Sequence, residues 1–147
     1  MGRRAAPDAP GARGGAALTA FVDTNVLIRH LTGDPPDMAA RATAALASGE
    51  PLLLADLVLA ECVYVLQSFY EVPRARVAQL MRSAIALPSI ETVDPRSLLR
   101  ALEVYETERL DFAEAYLVAQ AEATGVEAIV SFDRSIDRVA GITRREP

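Results

Sequence analysis

Phe21-Val22-Asp23-Thr24-Asn25-Val26-Leu27-Ile28 is a short apolar run that ends in a carboxylate, passes through Thr and Asn, and resumes as a second apolar stretch. A buried strand followed at once by a helix accounts for this pattern, with Asp23 delivered to the carboxyl end of the strand. In parallel α/β sheets, ligands bind in the crevice beyond those ends. Asp23 therefore stands where such a sheet would carry a functional group.

The same alternation continues along the chain. Strands are predicted over 20–23, 52–55, 90–93 and 128–131, with a last edge strand at Ile142-Thr143. Helices are predicted over 25–31, 37–47, 56–70, 73–86, 95–108 and 112–124, the second opening at the Pro-Pro pair 35–36 and the last closing at Gly125. Asp56 is expected to cap the helix that follows it. The segment 132–137 reads as a loop or short turn. Strands separated by helical patterns of this length indicate a parallel sheet covered by helices on both faces. Residues 1–17 are Ala, Gly, Pro and Arg without periodicity and are expected to be a disordered tail, leaving 18–147 as one domain.

Composition narrows the function. Apolar residues make up 51% and aromatic residues 5%, so the expected core is Ala, Leu and Val. The net charge is −5, and all fifteen basic residues are Arg. An acidic chain with no basic run does not advertise nucleic-acid binding, although an acidic metal site accounts for part of that charge. The single cysteine, Cys62, excludes an internal disulfide and suits a reducing, cytoplasmic setting; it is expected to be a small core residue. No segment reaches the roughly eighteen apolar residues of a membrane span. With His30 as the only histidine, a zinc site has too few ligands.

The carboxylates carry the chemistry. Asp23 and Asp133 each follow a predicted strand, where an N-cap role is the ordinary explanation. Glu61 lies in Leu57-Val58-Leu59-Ala60-Glu61-Cys62-Val63-Tyr64-Val65-Leu66, apolar on every side. Such a helix is expected to be buried, and a buried carboxylate needs a partner, a proton or a metal. Asp111 and Glu114 open the helix at 112 in a capping-box pattern. Yet two like charges one turn apart on an otherwise apolar face repel unless a cation lies over them. Oxygen ligands alone favour a hard ion, Mg²⁺ or Mn²⁺.

In order, Phe21-Val22-Asp23-Thr24-Asn25, Ala60-Glu61, Leu110-Asp111-Phe112-Ala113-Glu114-Ala115 and Ser131-Phe132-Asp133 resemble the PIN domain, and specifically VapC-type toxins of bacterial toxin–antitoxin pairs. The resemblance implies an α/β three-layer sandwich with a mostly parallel central sheet of four to five strands flanked by helices. It implies a Mg²⁺-dependent endoribonuclease, a homodimer, and inhibition by a cognate VapB-type antitoxin. Carried over, Asp23 is the first acid, Glu61 the second and Asp133 the fourth. Glu114 stands where the third is usually Asp, one methylene shorter, and Asp111 becomes a second-shell or substitute ligand. Thr24 and Asn25 would orient the turn at Asp23.

The expected activity is metal-assisted hydrolysis of RNA phosphodiester bonds, with Asp23, Glu114 and Asp133 as metal ligands and Glu61 holding water or acting as base. Arg29, Arg109 and Arg134 are nearest in sequence for phosphate contact. Segments 37–47 and 56–86 offer surfaces for a partner or a second copy. Two rivals remain: a catalytically impaired domain that only binds protein or RNA, marked by Glu114, and a metal-dependent phosphatase, for which the Asp-x-Asp nucleophile pair is missing.

Overall fold

The structure, a computed structural model, describes residues 17, 18 and 20–147; apart from Ala17, the tail expected to be disordered lies outside the described residues. The elements run β1 (Ala20–Phe21), α1 (Thr24–Thr32), α2 (Pro36–Leu46), β2 (Leu52–Leu53), α3 (Asp56–Ser68), α4 (Arg74–Ile85), β3 (Ile90–Glu91), α5 (Pro95–Thr107), α6 (Phe112–Thr124), β4 (Ala128–Val130), a 3-10 turn (Arg134–Arg138) and β5 (Thr143–Arg145). This is the α/β order read from the sequence, with strands shorter than predicted.

Local chemistry sets the boundaries. α1 stops at Gly33, whose left-handed backbone (φ 71°) lets its amide donate to the Arg29 carbonyl at 2.9 Å. α5 starts at a true cap: the Asp94 side chain accepts from the Ser97 amide at 3.1 Å, and Pro95 takes the first turn. Gly125, at φ 74°, ends α6 in the same way as Gly33 ends α1.

All strand pairs are parallel. β1, β2 and β3 form one ladder with Phe21 opposite Leu53 and Leu53 opposite Glu91. β4 and β5 form a second ladder, Ile129 opposite Arg144. The Val22 amide adds a bond to the Leu53 carbonyl at 3.0 Å, so β-type pairing reaches the residue just before Asp23.

One connected hydrophobic cluster runs from Val22 to Val139 and takes in every helix but α2's outer face. Leu27, Leu54, Leu59, Leu66, Leu98, Leu102 and Leu110 are fully buried, each contributing roughly 1.5–3 kcal/mol of transfer free energy. Cys62 sits in this core as expected. The aromatic-poor composition nevertheless places Tyr105 at its centre, edge-on to Phe112 with ring centroids 6.2 Å apart. No helix among the described residues is long and apolar enough to cross a membrane.

Candidate functional site

β1 ends two residues before Asp23, and α1 begins one residue after it. Asp23 occupies the cap position with extended backbone (φ −89°, ψ 157°) but makes no side-chain cap bond, so capping does not explain this acid. Thr24, the first residue of α1 and 5% exposed, donates its hydroxyl to Glu61 Oε2 at 2.7 Å. That bond ties the turn after β1 to the middle of α3. Beside it, burial pushes the Cys62 thiol up to about 12, and the charges of Glu61 and Asp23 push in the same direction. Both carboxylates are therefore within electrostatic reach of one sulfur.

Glu61 itself is exposed, which corrects the expectation of a buried acid. α3 buries Leu59, Cys62, Val63 and Leu66, and turns Leu57, Glu61, Tyr64 and Ser68 to solvent. Its outer face carries Leu57 and Tyr64, 81% and 69% exposed, so the amphipathic period is hidden in the sequence. A helix that reads apolar all round can have an apolar outside.

At the start of α6 the capping box does not form. Asp111 holds the cap position without a side-chain cap bond, and Glu114 Oε2 is buried with no hydrogen-bond partner. Asp56 does not cap α3 either; Ala55 holds that position, and Asp56 Oδ2 instead accepts from the Tyr116 hydroxyl at 2.6 Å. Asp56 Oδ1 is buried without a partner. Asp133 behaves as a cap residue does. It accepts from the Ser135 amide at 2.9 Å, while its own amide donates to Ser131 Oγ at 2.9 Å. Hydrogen bonding from Ser135 holds its carboxyl below the usual range, helped by the charges of Arg138 and Arg144.

The three arginines singled out by proximity differ. Arg29 Nη1 donates to the Asp34 carbonyl at 3.1 Å, and its Nε is buried without a partner. Arg109 and Arg134 are exposed, Arg109 with left-handed backbone at φ 59°. The arginine that sequence reading missed is Arg74. Its Nη1 donates to the carbonyls of Tyr105 and Leu110 at 2.8 and 2.6 Å, and its guanidinium lies 4.3 Å from the Tyr105 ring centroid. It fixes the backbone leading to Asp111, and nothing in its Pro73-Arg74-Ala75-Arg76 context distinguishes it from a solvated helix arginine.

The structure thus ties Glu61 to Thr24, the residue after Asp23, leaves one Glu114 oxygen without a hydrogen-bond partner, and gives Asp133 its own serine network. Among the described residues, no group of three or more His, Cys, Asp or Glu is placed to hold a metal ion. Mg²⁺ does not require one, since it is commonly bound through one or two carboxylates with waters and substrate phosphate completing its shell. The all-oxygen donor set and the unpartnered Glu114 Oε2 fit such an ion.

The PIN-domain family model matches residues 20–142, from β1 to the residue before β5. The chain belongs to the PIN-domain family. PIN domains are in general nucleases, hydrolases acting on nucleic acids, and typically use divalent metal ions. None of the curated proteins matches the chain. Within the PIN fold, Asp23 sits at the carboxyl end of β1, the place parallel sheets reserve for ligands.

Proposed function

We propose that this PIN domain is a Mg²⁺-dependent endoribonuclease, the toxin of a toxin–antitoxin pair. The observation that supports it best is the Thr24–Glu61 hydrogen bond, because it couples Asp23's turn to a second acid with no other structural duty. In this reading Asp23, Glu114 and Asp133 hold the ion, Asp133 through the carboxylate oxygen that the Ser135 amide does not take. Mg²⁺ or Mn²⁺, when bound, supplies Lewis-acid charge at the scissile phosphate and makes nearby water more acidic. Thr24 occupies Glu61 Oε2, which leaves Oε1 as the atom that takes the proton of the attacking water. Exposed Arg109 and Arg134, close in sequence to Asp111 and Asp133, are the cations this reading places on phosphate.

The RNA specificity, the VapB-type antitoxin and the homodimer rest on the resemblance to VapC-type toxins. The test is cleavage of RNA by purified protein in Mg²⁺, Mn²⁺ and EDTA, alongside Asp23→Ala. Cleavage dependent on the ion and abolished in Asp23→Ala, with the fold retained by circular dichroism, supports the mechanism. Full cleavage by that variant, with contaminating nuclease excluded, overturns it.

A second reading has its own observation. Glu114 replaces the shorter acid, and no three described acids form a cluster, as a catalytically impaired protein- or RNA-binding domain would have it. Failure to bind Mn²⁺ at millimolar concentration selects this alternative.

A further inference from the structure

One turn beyond Glu61, the solvent face of α3 carries an aromatic ring that hydrolysis does not need. Tyr64, 69% exposed, stands on the wall of a groove of about 370 Å³ between α3 and the start of α6. Beside Tyr64, its apolar lining is Ala60, Val63, Phe112 and Ala113. Its polar groups are Gln67, Ser68 and Asp111.

One of those groups is oriented by a bond made elsewhere, and a second keeps its carboxylate available. The hydroxyl of buried Tyr105 donates to Gln67 Oε1 at 2.9 Å, so the Gln67 Nε2 amine is the end left for a ligand. Asp111 makes no side-chain cap bond, so its carboxylate remains an acceptor, and Arg74 holds the carbonyl of the preceding residue, Leu110. An exposed ring, a donor and a carboxylate on one groove match what recognises an unpaired base: stacking on the face and hydrogen bonds on the edge. An apolar protein helix would fit this groove poorly, because it would desolvate Asp111 and Gln67 without pairing them.

We propose that the groove is a subsite for one unpaired guanine of the RNA strand, stacked on Tyr64, with Asp111 and Gln67 reading its edge. Guanine offers two adjacent donors, N1–H and N2–H, for the two oxygens of Asp111, and its O6 accepts from Gln67 Nε2. Tyr64 stands one helical turn from Glu61 on α3, so the stacked base would bear on which phosphodiester bond reaches that acid. This subsite rests on the ribonuclease reading for its biological role, and assigns Asp111 to the substrate rather than to the ion.

The test starts with binding in EDTA, where no cleavage occurs. Guanosine, adenosine, cytidine and uridine are titrated into the protein while the tyrosine ring resonances are followed by NMR, in wild type, Tyr64→Ala, Tyr64→Phe and Asp111→Asn. The expected result is saturable perturbation of the Tyr64 ring by guanosine. Binding weakens about tenfold or more in Tyr64→Ala, recovers in Tyr64→Phe, and loses its preference for guanosine in Asp111→Asn. Cut positions in a mixed-sequence RNA should then shift away from guanine in Tyr64→Ala. Equal binding of all four nucleosides, an unperturbed Tyr64 ring, or a Tyr64→Ala effect confined to oligomeric state by size-exclusion chromatography overturns the proposal. Guanosine binding by a protein that cuts no RNA in Mg²⁺ would uphold the subsite and refute the nuclease reading. Metal-dependent cutting with cut positions indifferent to Tyr64→Ala would do the reverse.

Discussion

Thr24 Oγ1 lies 2.7 Å from Glu61 Oε2, a hydrogen bond that spans thirty-seven residues of chain and joins the first turn of α1 to the middle of α3. The Thr24 end is buried and the Glu61 end is open to solvent. A polar contact so arranged orients an acid without shielding it, which is what a group that must meet water and phosphate requires. Thr24→Val keeps the β-branched shape and removes the donor. It is expected to cost about 1 kcal/mol of stability or less, since solvent can satisfy the freed Glu61 oxygen. Loss of the partner that orients the proposed base should lower Mg²⁺-dependent RNA cleavage about tenfold or more. Cleavage rates measured beside thermal melts separate the two effects. Cleavage at the wild-type rate would reduce Thr24 to a helix-start residue.

Glu114 gives a sharper discrimination, because its Oε2 is buried with no hydrogen-bond partner. Glu114→Gln removes the charge and offers a donor in its place. The metal-free variant should be more stable by about 1 kcal/mol, a melting shift on the order of 3 °C, while the stabilisation of wild type by Mg²⁺ disappears. Differential scanning calorimetry with and without the ion reads both. A variant that melts lower than wild type without metal would mean that the Glu114 carboxylate is already satisfied.

The fold was legible because hydrophobic periodicity and turn residues agree along most of the chain. Phe112–Thr124 is predicted to the residue, and Gly33 and Gly125 end their helices with left-handed backbone. The regular strands are shorter than expected, although ladder bonding continues one residue further, as from the Val22 amide to the Leu53 carbonyl. The site was legible in residue type and less so in environment. Glu61 was expected inside because Leu57 and Tyr64 flank it, and those side chains in fact face solvent. Capping chemistry was assigned by position alone, yet Asp94 and Asp133 cap while Asp56 and Asp111 do not. Tyr116 took the Asp56 carboxylate across sixty residues, and no local pattern carries that information.

Asp133 presents two roles that one substitution can separate. Its Oδ1 accepts from the Ser135 amide, a bond that asparagine reproduces almost as well. Asp133→Asn should therefore leave the melting temperature close to that of wild type, while any contribution of its charge to ion binding is lost. If Asp133 belongs to the metal site, RNA cleavage falls at least tenfold at unchanged stability. Activity equal to wild type would assign Asp133 to the 3-10 turn alone.

The Tyr116–Asp56 pair makes the clearest pH prediction. The hydrogen bond to Asp56 pushes the Tyr116 phenol up to about 12 from an ordinary value of 10.0, with burial and the charges of Asp56 and Asp94 adding to it. The protonated phenol is thus favoured by folding. Its contribution is fully present below pH 10 and is lost as pH rises from about 10 towards 12. Tyr116→Phe removes the donor and leaves both Asp56 oxygens without a partner, since Oδ1 already has none. The neutral-pH cost is about 1 kcal/mol after allowing for partial exposure of the pair. Urea unfolding from pH 8 to 11.5 should show the gap between wild type and Tyr116→Phe closing across the alkaline range. A gap that stays constant to pH 11.5 would mean that the 2.6 Å contact does not couple folding to the phenol proton.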